Sequence, residues 1–326
     1  MSKKVSIVMP TYNAQHWIKE TVCNIQKQTY TNWELIIVND GSTDNTELLC
    51  KEIASKDSRI KVLTQSNKGP SAARNLGLSH ITGEYFTVID CDDLLYSNAL
   101  EVYLSTAKKY KADTVIAGFK MVNVSTGIVY ESTIPEEMCY KPNGVINTEQ
   151  TEILVNAGLM ASNWNKLYAA HLAKLRFNTE ISLNEDVLFS LNALSHSGIV
   201  AVTPAILYEY RVQNRQSVSQ KFHPEFPEAL EELEKQLLFG QKKKLIKGLQ
   251  VWLMNYLYIH LRNICTNDLL DQDNKVQYIK AIVNTNLFKK YATVCKADTL
   301  NRKIAVCMLR AHLYKAYINM APSKSR

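Results

Sequence analysis

Four polar clusters each follow a short apolar run within the first 93 residues of this 326-residue chain. Pro10-Thr11-Tyr12-Asn13 comes after Val5–Met9, and Asp40-Gly41-Ser42-Thr43-Asp44 after Glu34–Asn39. Gln65 to Pro70, with Lys68 and Gly69, follows Ile60–Thr64, and Asp90-Cys91-Asp92-Asp93 follows Tyr85–Ile89. Closely spaced carboxylates repel one another unless a hard cation lies among them. Mg2+ or Mn2+ takes oxygen ligands, one or two of them protein carboxylates, and completes its shell with phosphates. Asp90 and Asp92 are the candidates for that chemistry. Asp93 can instead cap the helix that follows. Any one cluster is ordinary turn chemistry; four in succession point to one crevice.

The elements between these clusters must bring them together. Strands are predicted over 5–9, 34–39, 60–64, 85–89 and 114–119, separated by helices. Those helices run from an Asn13 cap through Trp17, Val22 and Ile25, then over about 43–56, 71–79 and 98–110. This alternation predicts a parallel α/β sheet with right-handed crossovers, whose ligands bind beyond the carboxyl ends of the strands. Neither GxGxxG nor GxxxxGK[ST] is present, so no glycine-rich loop cradles phosphates. Residues 121–220 are less regular, with helices predicted over 148–157 and 186–197 and a strand over 205–210. Beyond Pro227 almost everything reads as helix. The expected division is a catalytic domain over 1–220 and a basic helical domain over 221–326.

Val5-Ser-Ile-Val-Met-Pro-Thr-Tyr-Asn13, Val38-Asn-Asp-Gly-Ser-Thr-Asp44, Asn67-Lys-Gly-Pro-Ser-Ala-Ala-Arg-Asn75 and Asp90-Cys-Asp-Asp93 together resemble the family 2 glycosyltransferases of the GT-A fold. The resemblance covers roughly residues 4–215. It implies a Rossmann-like, mostly parallel sheet flanked by helices, followed by a mainly helical C-terminal part. The implied activity is inverting transfer of a sugar from a UDP-sugar to a glycan or lipid-linked acceptor, with Mn2+ or Mg2+.

The resemblance also implies roles by position. Pro10, Thr11 and Tyr12 would bed the uracil and ribose, and Asp40 would accept a hydrogen bond from the base or ribose. Lys68 and Gly69 would lie near the base, and Arg74 and Asn75 near the sugar or diphosphate. Asp90 would contact the ribose or sugar, with Cys91 beside it in the nucleotide-sugar site, and Asp92 would ligate the metal. In Asn184-Glu-Asp-Val187, Asp186 would be the catalytic base with Glu185 orienting the acceptor; helix capping is the alternative use of that pair. Trp164 and Lys166, in Ser162-Asn-Trp-Asn-Lys-Leu-Tyr168, would border the acceptor. Arg211, Arg215 and Ser217 would touch the diphosphate. Many relatives carry a His reaching the metal where Gln213 stands, so no imidazole ligand is expected here. The alternative function is a non-catalytic sugar-nucleotide or glycan-binding module on the same fold.

Composition narrows the rest. With 46% hydrophobic and 21% charged residues the chain is globular rather than disordered. Seven scattered cysteines without a CxxC pair suit reduced thiols in a cytoplasmic protein. Met1–Val5 does not read as a secretory signal. The apolar segment Leu245–Leu261 is broken by polar residues and falls short of the ~18 apolar residues of a spanning helix. The net charge of +7 is uneven: residues 1–220 hold 20 basic and 22 acidic side chains, and residues 221–326 hold 18 and 9. Leu245, Leu249, Trp252, Leu253, Tyr256, Leu257, His260 and Ile264 form an apolar stripe that serves either packing against the catalytic domain or another subunit, or a membrane surface. Lys242–Lys244, Lys247, Lys289, Lys290, Arg302 and Lys303 would then meet anionic headgroups. Nucleic-acid binding is not expected, since no readout motif accompanies the cations.

Overall fold

The computed structural model describes residues 3–143, 148–180, 184–212, 226–238, 245, 247–267, 270–292 and 300–320. The chain divides into two compact units. The first comprises Met1–Ile146, Asn156–Glu180 and Asn184–Asn214; the second comprises Asn147–Val155, Ile181–Leu183 and Arg215–Arg326.

The first unit is built on one sheet, ten-stranded among the described residues. Strands β1 (Val5–Thr11), β2 (Trp33–Asp40), β3 (Ile60–Gln65) and β4 (Tyr85–Val88) run parallel in the order β3-β2-β1-β4. β1 and β2 are buried almost throughout, because helices cover both faces of a parallel sheet; this is why they read as continuous apolar runs. The crossovers are α1 (Ile18–Gln26), α2 (Thr46–Ala54) and α3 (Pro70–Leu78). Gly77 lets α3 lie against β1, since a Cβ there would collide with Val8.

Beyond β4 the sheet becomes mixed. After the two-residue β5 (Leu94–Leu95) and α4 (Ala99–Tyr110) come β6 (Thr114–Asn123), β7 (Val129–Ser132) and β8 (Met138–Tyr140). Past α5 (Glu149–Asn156), β9 (Lys166–Ala169) lies antiparallel between β4 and β6. Then α6 (Glu185–His196) leads into β10 (Val200–Val212), which runs parallel to β6 and antiparallel to β5 and β8. The α/β class with flanking helices is as expected. The strand at 166–169 had no periodic signal, and it turns the sheet from parallel to mixed. The Asn13 cap is corrected: α1 starts at Ile18 with Trp17 before it, and Asn13 holds another loop.

In the second unit α7 (Phe226–Leu238), α8 (Lys247–Cys265), α9 (Gln272–Asn284), α10 (Asn286–Tyr291), α11 (Leu300–Arg310) and α12 (Tyr314–Met320) are helical, as the near-absence of Gly and Pro predicts. Of the apolar stripe on α8, Leu249, Leu253, Leu257, His260 and Ile264 are buried, whereas Trp252 and Tyr256 are half-buried. No described helix is long and apolar enough to cross a membrane. Lys242–Lys244 and the side chains of Arg302 and Lys303 lie outside the described residues.

Candidate active site

Parallel register sets the first three clusters side by side. Thr11 stands opposite Asn39, and Asp40 opposite Gln65, so the loops after β1, β2 and β3 leave the sheet together. They are then tied to one another by side chains that bond distant backbone. Asn13, at φ 49°, accepts a 2.9 Å hydrogen bond from the Thr43 N–H, and Ser42 Oγ accepts one of 3.0 Å from the Asn13 N–H. Asp40 is buried, and its carboxylate accepts from Gln65 Nε2 at 2.7 Å, the Lys68 N–H at 2.9 Å and the Gly69 N–H at 2.8 Å. Gly41, at φ 68°, is needed there, because a Cβ would come within 2.6 Å of the Asn67 nitrogen. Asp40 therefore shapes the loop that carries Lys68 and Gly69; three protein donors already occupy the oxygens assigned to the base or ribose. Thr11 is also turned inward, donating to the Val38 carbonyl, whereas Tyr12 is 47% exposed beside Pro10. Of the bed predicted for a base, Tyr12 is the ring available to stack.

After β4 the chain turns sharply through Asp90–Asp93, and the three carboxylates part. Asp93 is fully buried and caps no helix, correcting that expectation; α4 begins at Ala99, with Asn98 preceding it. Its oxygens accept from Tyr208 Oη at 2.7 Å and from the Arg211 N–H at 2.8 Å. Burial, then Asp90 and Asp92, push Asp93 well above the usual carboxylate range. Asp90 binds Arg74 Nη2 at 3.2 Å. Asp92 makes no ion pair with a described residue, and burial followed by repulsion from Asp90 pushes it up to about 6. The Cys91 thiol, between them, is raised first by burial and then by its acidic neighbours, so it is no nucleophile at neutral pH.

Arg74 joins this turn to the start of α6. Its guanidinium is buried, with Nη1 donating to Glu185 Oε1 at 3.0 Å while Nη2 holds Asp90. Burial opposes its charge, but Asp90, Glu185 and Asp186 outweigh that and keep it protonated. Glu185 and Asp186 open α6 directly after Asn184, which sits in the left-handed region at φ 64°. Asp186 accepts from the Val187 N–H at 2.8 Å and is pushed up to about 7, by burial first and Glu185 second, against the pull of Arg74. Asn75, expected near the sugar, is elsewhere. Its amide pairs with both backbone groups of Phe177, at 2.9 and 2.8 Å, and pins that segment to α3.

The acceptor-side residues are corrected most. Lys166 is completely buried, and its Nζ donates to the carbonyls of Leu159 (2.9 Å) and Ser162 and to Asn165 Oδ1 (2.7 Å). Three acceptors use up the three donors of an ammonium. Burial pushes Lys166 down to about 7, with Asp186 opposing the fall. Lys166 therefore organises segment 159–165 and cannot touch an acceptor. Trp164 is also buried. It stacks on Tyr208 (4.4 Å between ring centroids) and Tyr210 (5.4 Å) and meets the edge of Phe119, so it offers no open face to a sugar. Arg211 is paired with Glu20 at 2.9 Å and Glu209 at 3.0 Å. Gln213, Arg215 and Ser217 lie outside the described residues. Tyr208, which holds the acidic turn together with Asp93, was not singled out by sequence; in a strand Tyr208-Glu-Tyr210 reads only as core alternation.

This constellation of strand-end loops, acidic turn and acid-opened helix is what the comparisons with known proteins address. The family model "Glycosyl transferase family 2" matches residues 6–168. The chain belongs to that family. It is 33% identical over 215 residues to glycosyltransferase GlyA of Streptococcus pneumoniae, covering 64% of this chain and 31% of that protein. To the Escherichia coli UDP-Glc:alpha-D-GlcNAc-diphosphoundecaprenol beta-1,3-glucosyltransferase WfgD it is 37% identical over 137 residues, 42% of this chain and 53% of that one. It thus aligns with about a third to about half the length of these relatives. In fold it is similar to residues 1–349 of Staphylococcus aureus TarS in complex with UDP-GlcNAc. The TM-score is 0.73 at 21% identity, covering 98% of this chain and 90% of that one.

For a family 2 protein the metal expectation can be tested on the donor set. Among the described residues no three His, Cys, Asp or Glu side chains group so as to hold an ion by themselves. Asp92 is an unpaired carboxylate held above its ordinary range, which a cation beside it would relieve. Those groups fit a hard divalent ion that takes one or two carboxylates and shares the rest of its shell with a phosphate-bearing ligand.

Proposed function

We propose that this chain moves a sugar from a UDP-sugar to a hydroxyl of a glycan or lipid-linked acceptor, with inversion and with Asp186 as base. The carrying observation is the Arg74 bridge. One buried cation ties Asp90, in the donor motif, to Glu185, the neighbour of Asp186, so both halves of a transfer site meet at one guanidinium. A non-catalytic module would have no use for an acid raised to about 7 beside that bridge. The names of the relatives agree: WfgD is named for UDP-Glc and a GlcNAc-diphosphoundecaprenol acceptor, and TarS was crystallised with UDP-GlcNAc.

In the reaction the acceptor oxygen bonds to the anomeric carbon as the bond from that carbon to the diphosphate oxygen breaks. The bonding pair leaves on UDP, and the hydroxyl proton passes to Asp186. A single displacement inverts the centre. Tyr12 would stack on the base, and Asp40 would keep the Lys68–Gly69 loop in place beside it. Glu185, fixed by Arg74, would orient the acceptor. Mn2+ or Mg2+, held by Asp92, would offset the charge that gathers on the departing diphosphate. We assign catalysis to 1–220 and docking to the basic helical part, 221–326. An anionic inner membrane face bearing the acceptor is the partner that suits its charge, ahead of self-association.

The test is a melting-temperature screen of UDP-sugars with and without Mn2+, followed by turnover assays. One UDP-sugar should raise the Tm in a metal-dependent way, and Asp92→Asn should remove that dependence. No shift from any UDP-sugar with either metal, or near-native turnover by Asp186→Asn, would sink the reading.

A further inference from the structure

The turn that carries Asp92 is held from two sides by hydroxyl groups, and neither hydroxyl belongs to a motif of the transfer reaction. Tyr208 Oη, from β10, accepts from the Asp90 N–H at 3.2 Å and donates to Asp93 Oδ2 at 2.7 Å. Thr21 Oγ1, from α1, reaches the carbonyls of Cys91 at 2.8 Å and Asp93 at 3.3 Å. The turn closes on itself through Asp93 N–H to the Asp90 carbonyl at 3.2 Å. Thus residues 90, 91 and 93 are each fastened by a hydroxyl, while Asp92 is fastened by none of these bonds. Both hydroxyl-bearing side chains are buried and in fixed surroundings. Tyr208 is fully buried with its ring stacked on Trp164, and Thr21 is 1% exposed on the inner face of α1. The β10 backbone adds the Arg211 N–H on the second oxygen of Asp93, and β5 pairs with β10 through Tyr208 and Leu95.

We propose that Tyr208 and Thr21 are a pair of positioning residues that fix the acidic turn so that Asp92 alone is presented to a diphosphate-bound cation. Without them the three adjacent acids would settle by mutual repulsion, and Asp92 would have to be ordered by the ligand at the expense of affinity. This places the aromatic stack in a new light. Trp164, buried against Tyr208, supports the metal-side turn through the tyrosine ring instead of meeting a sugar.

The proposal rests on the UDP-and-metal reading above, and calorimetric UDP binding to the full chain, with and without Mn2+, separates the two. Tyr208→Phe and Thr21→Val each remove one hydroxyl at nearly constant shape and no change of charge. Each should weaken Mn2+-dependent UDP binding by about tenfold, the scale of one buried hydrogen bond, and the double variant by more. Affinity for UDP without metal should stay within about twofold, which a general loss of structure would not produce. If either folded variant binds UDP with Mn2+ as tightly as the parent, that residue has no positioning role; if both do, the proposal is overturned. Should Tyr208→Phe fail to fold, Thr21→Val decides alone. If the parent chain itself binds UDP no better with Mn2+ than without, the underlying reading fails and takes the proposal with it.

Discussion

The proposed donor side and the proposed base side of this site are positioned by different physics. On the donor side, parallel strands in register put three loops next to one another, and side chains such as Asn13 and Asp40 then lace loop to loop. On the base side there is no such register to rely on. Segment 159–165 is wrapped around a buried ammonium, the strand it enters runs antiparallel, and Asp186 is presented by the first turn of a helix. The first arrangement spreads positioning over many exposed or half-exposed bonds. The second concentrates it on a few buried polar groups, where each loss leaves partners desolvated and unpaired. Single substitutions should therefore cost ligand affinity on the donor side, and rate or stability on the base side.

The sharpest test of that division is Asp186→Asn. It keeps the shape of the helix start but removes the base, so kcat should fall by about 10²–10⁴ while UDP affinity holds. Affinity falling in step with kcat would mean that the two sides are not separable. Next in size is Lys166→Met, which leaves the carbonyls of Leu159 and Ser162 buried without a donor. At about 1–3 kcal/mol for each unpaired group, unfolding stability should drop by about 3–5 kcal/mol in a denaturant titration. A drop below ~1 kcal/mol would contradict the structural role given to the ammonium. Asn75→Ala should cost less, about 1–3 kcal/mol, because its two hydrogen bonds to Phe177 are only part-buried and involve no charged donor. Its effect should appear in stability and not in donor affinity; the reverse would return Asn75 to the sugar site.

The same contrast explains what the sequence could disclose. The donor loops were legible because a strand-end cluster repeats four times, and repetition defeats the turn-chemistry explanation that fits each alone. Asp90 and Asp92 stood out because they close the fourth such cluster, whereas Glu185 and Asp186, for which helix capping is the alternative use, stood out through the family resemblance alone. Lys166 was placed at the acceptor by resemblance alone, and its three acceptors are two backbone carbonyls and a neighbouring amide that leave no pattern in sequence. Asn13 and Asn75 were misread likewise: a cap or a ligand contact is local in sequence, but their partners lie 30 and 102 residues away. Strand β9 escaped because four residues buried on both faces show no alternation. Asp93 and Tyr208 meet across 115 residues, so their pairing is a product of the sheet order alone.

Arg74 is shared by both sides, and the pH dependence of the reaction isolates what it gives each. Asp186 is raised to about 7, so its protonated form persists to near neutrality; a base must be unprotonated, so kcat falls as the pH drops through 7. One unit below that value, kcat should be about tenfold under its plateau. The groups facing Asp186 are Glu185 and Asp90, which raise it, and Arg74, which lowers it; Lys166 feels its charge from within the fold. Arg74→Gln removes the cation, so the acid limb of kcat should move to higher pH. Arg74→Lys keeps the charge but cannot span Asp90 and Glu185 with two nitrogens, so the limb should stay while the plateau falls. A limb that does not move in Arg74→Gln would show that the guanidinium only holds geometry, and that burial alone sets the base.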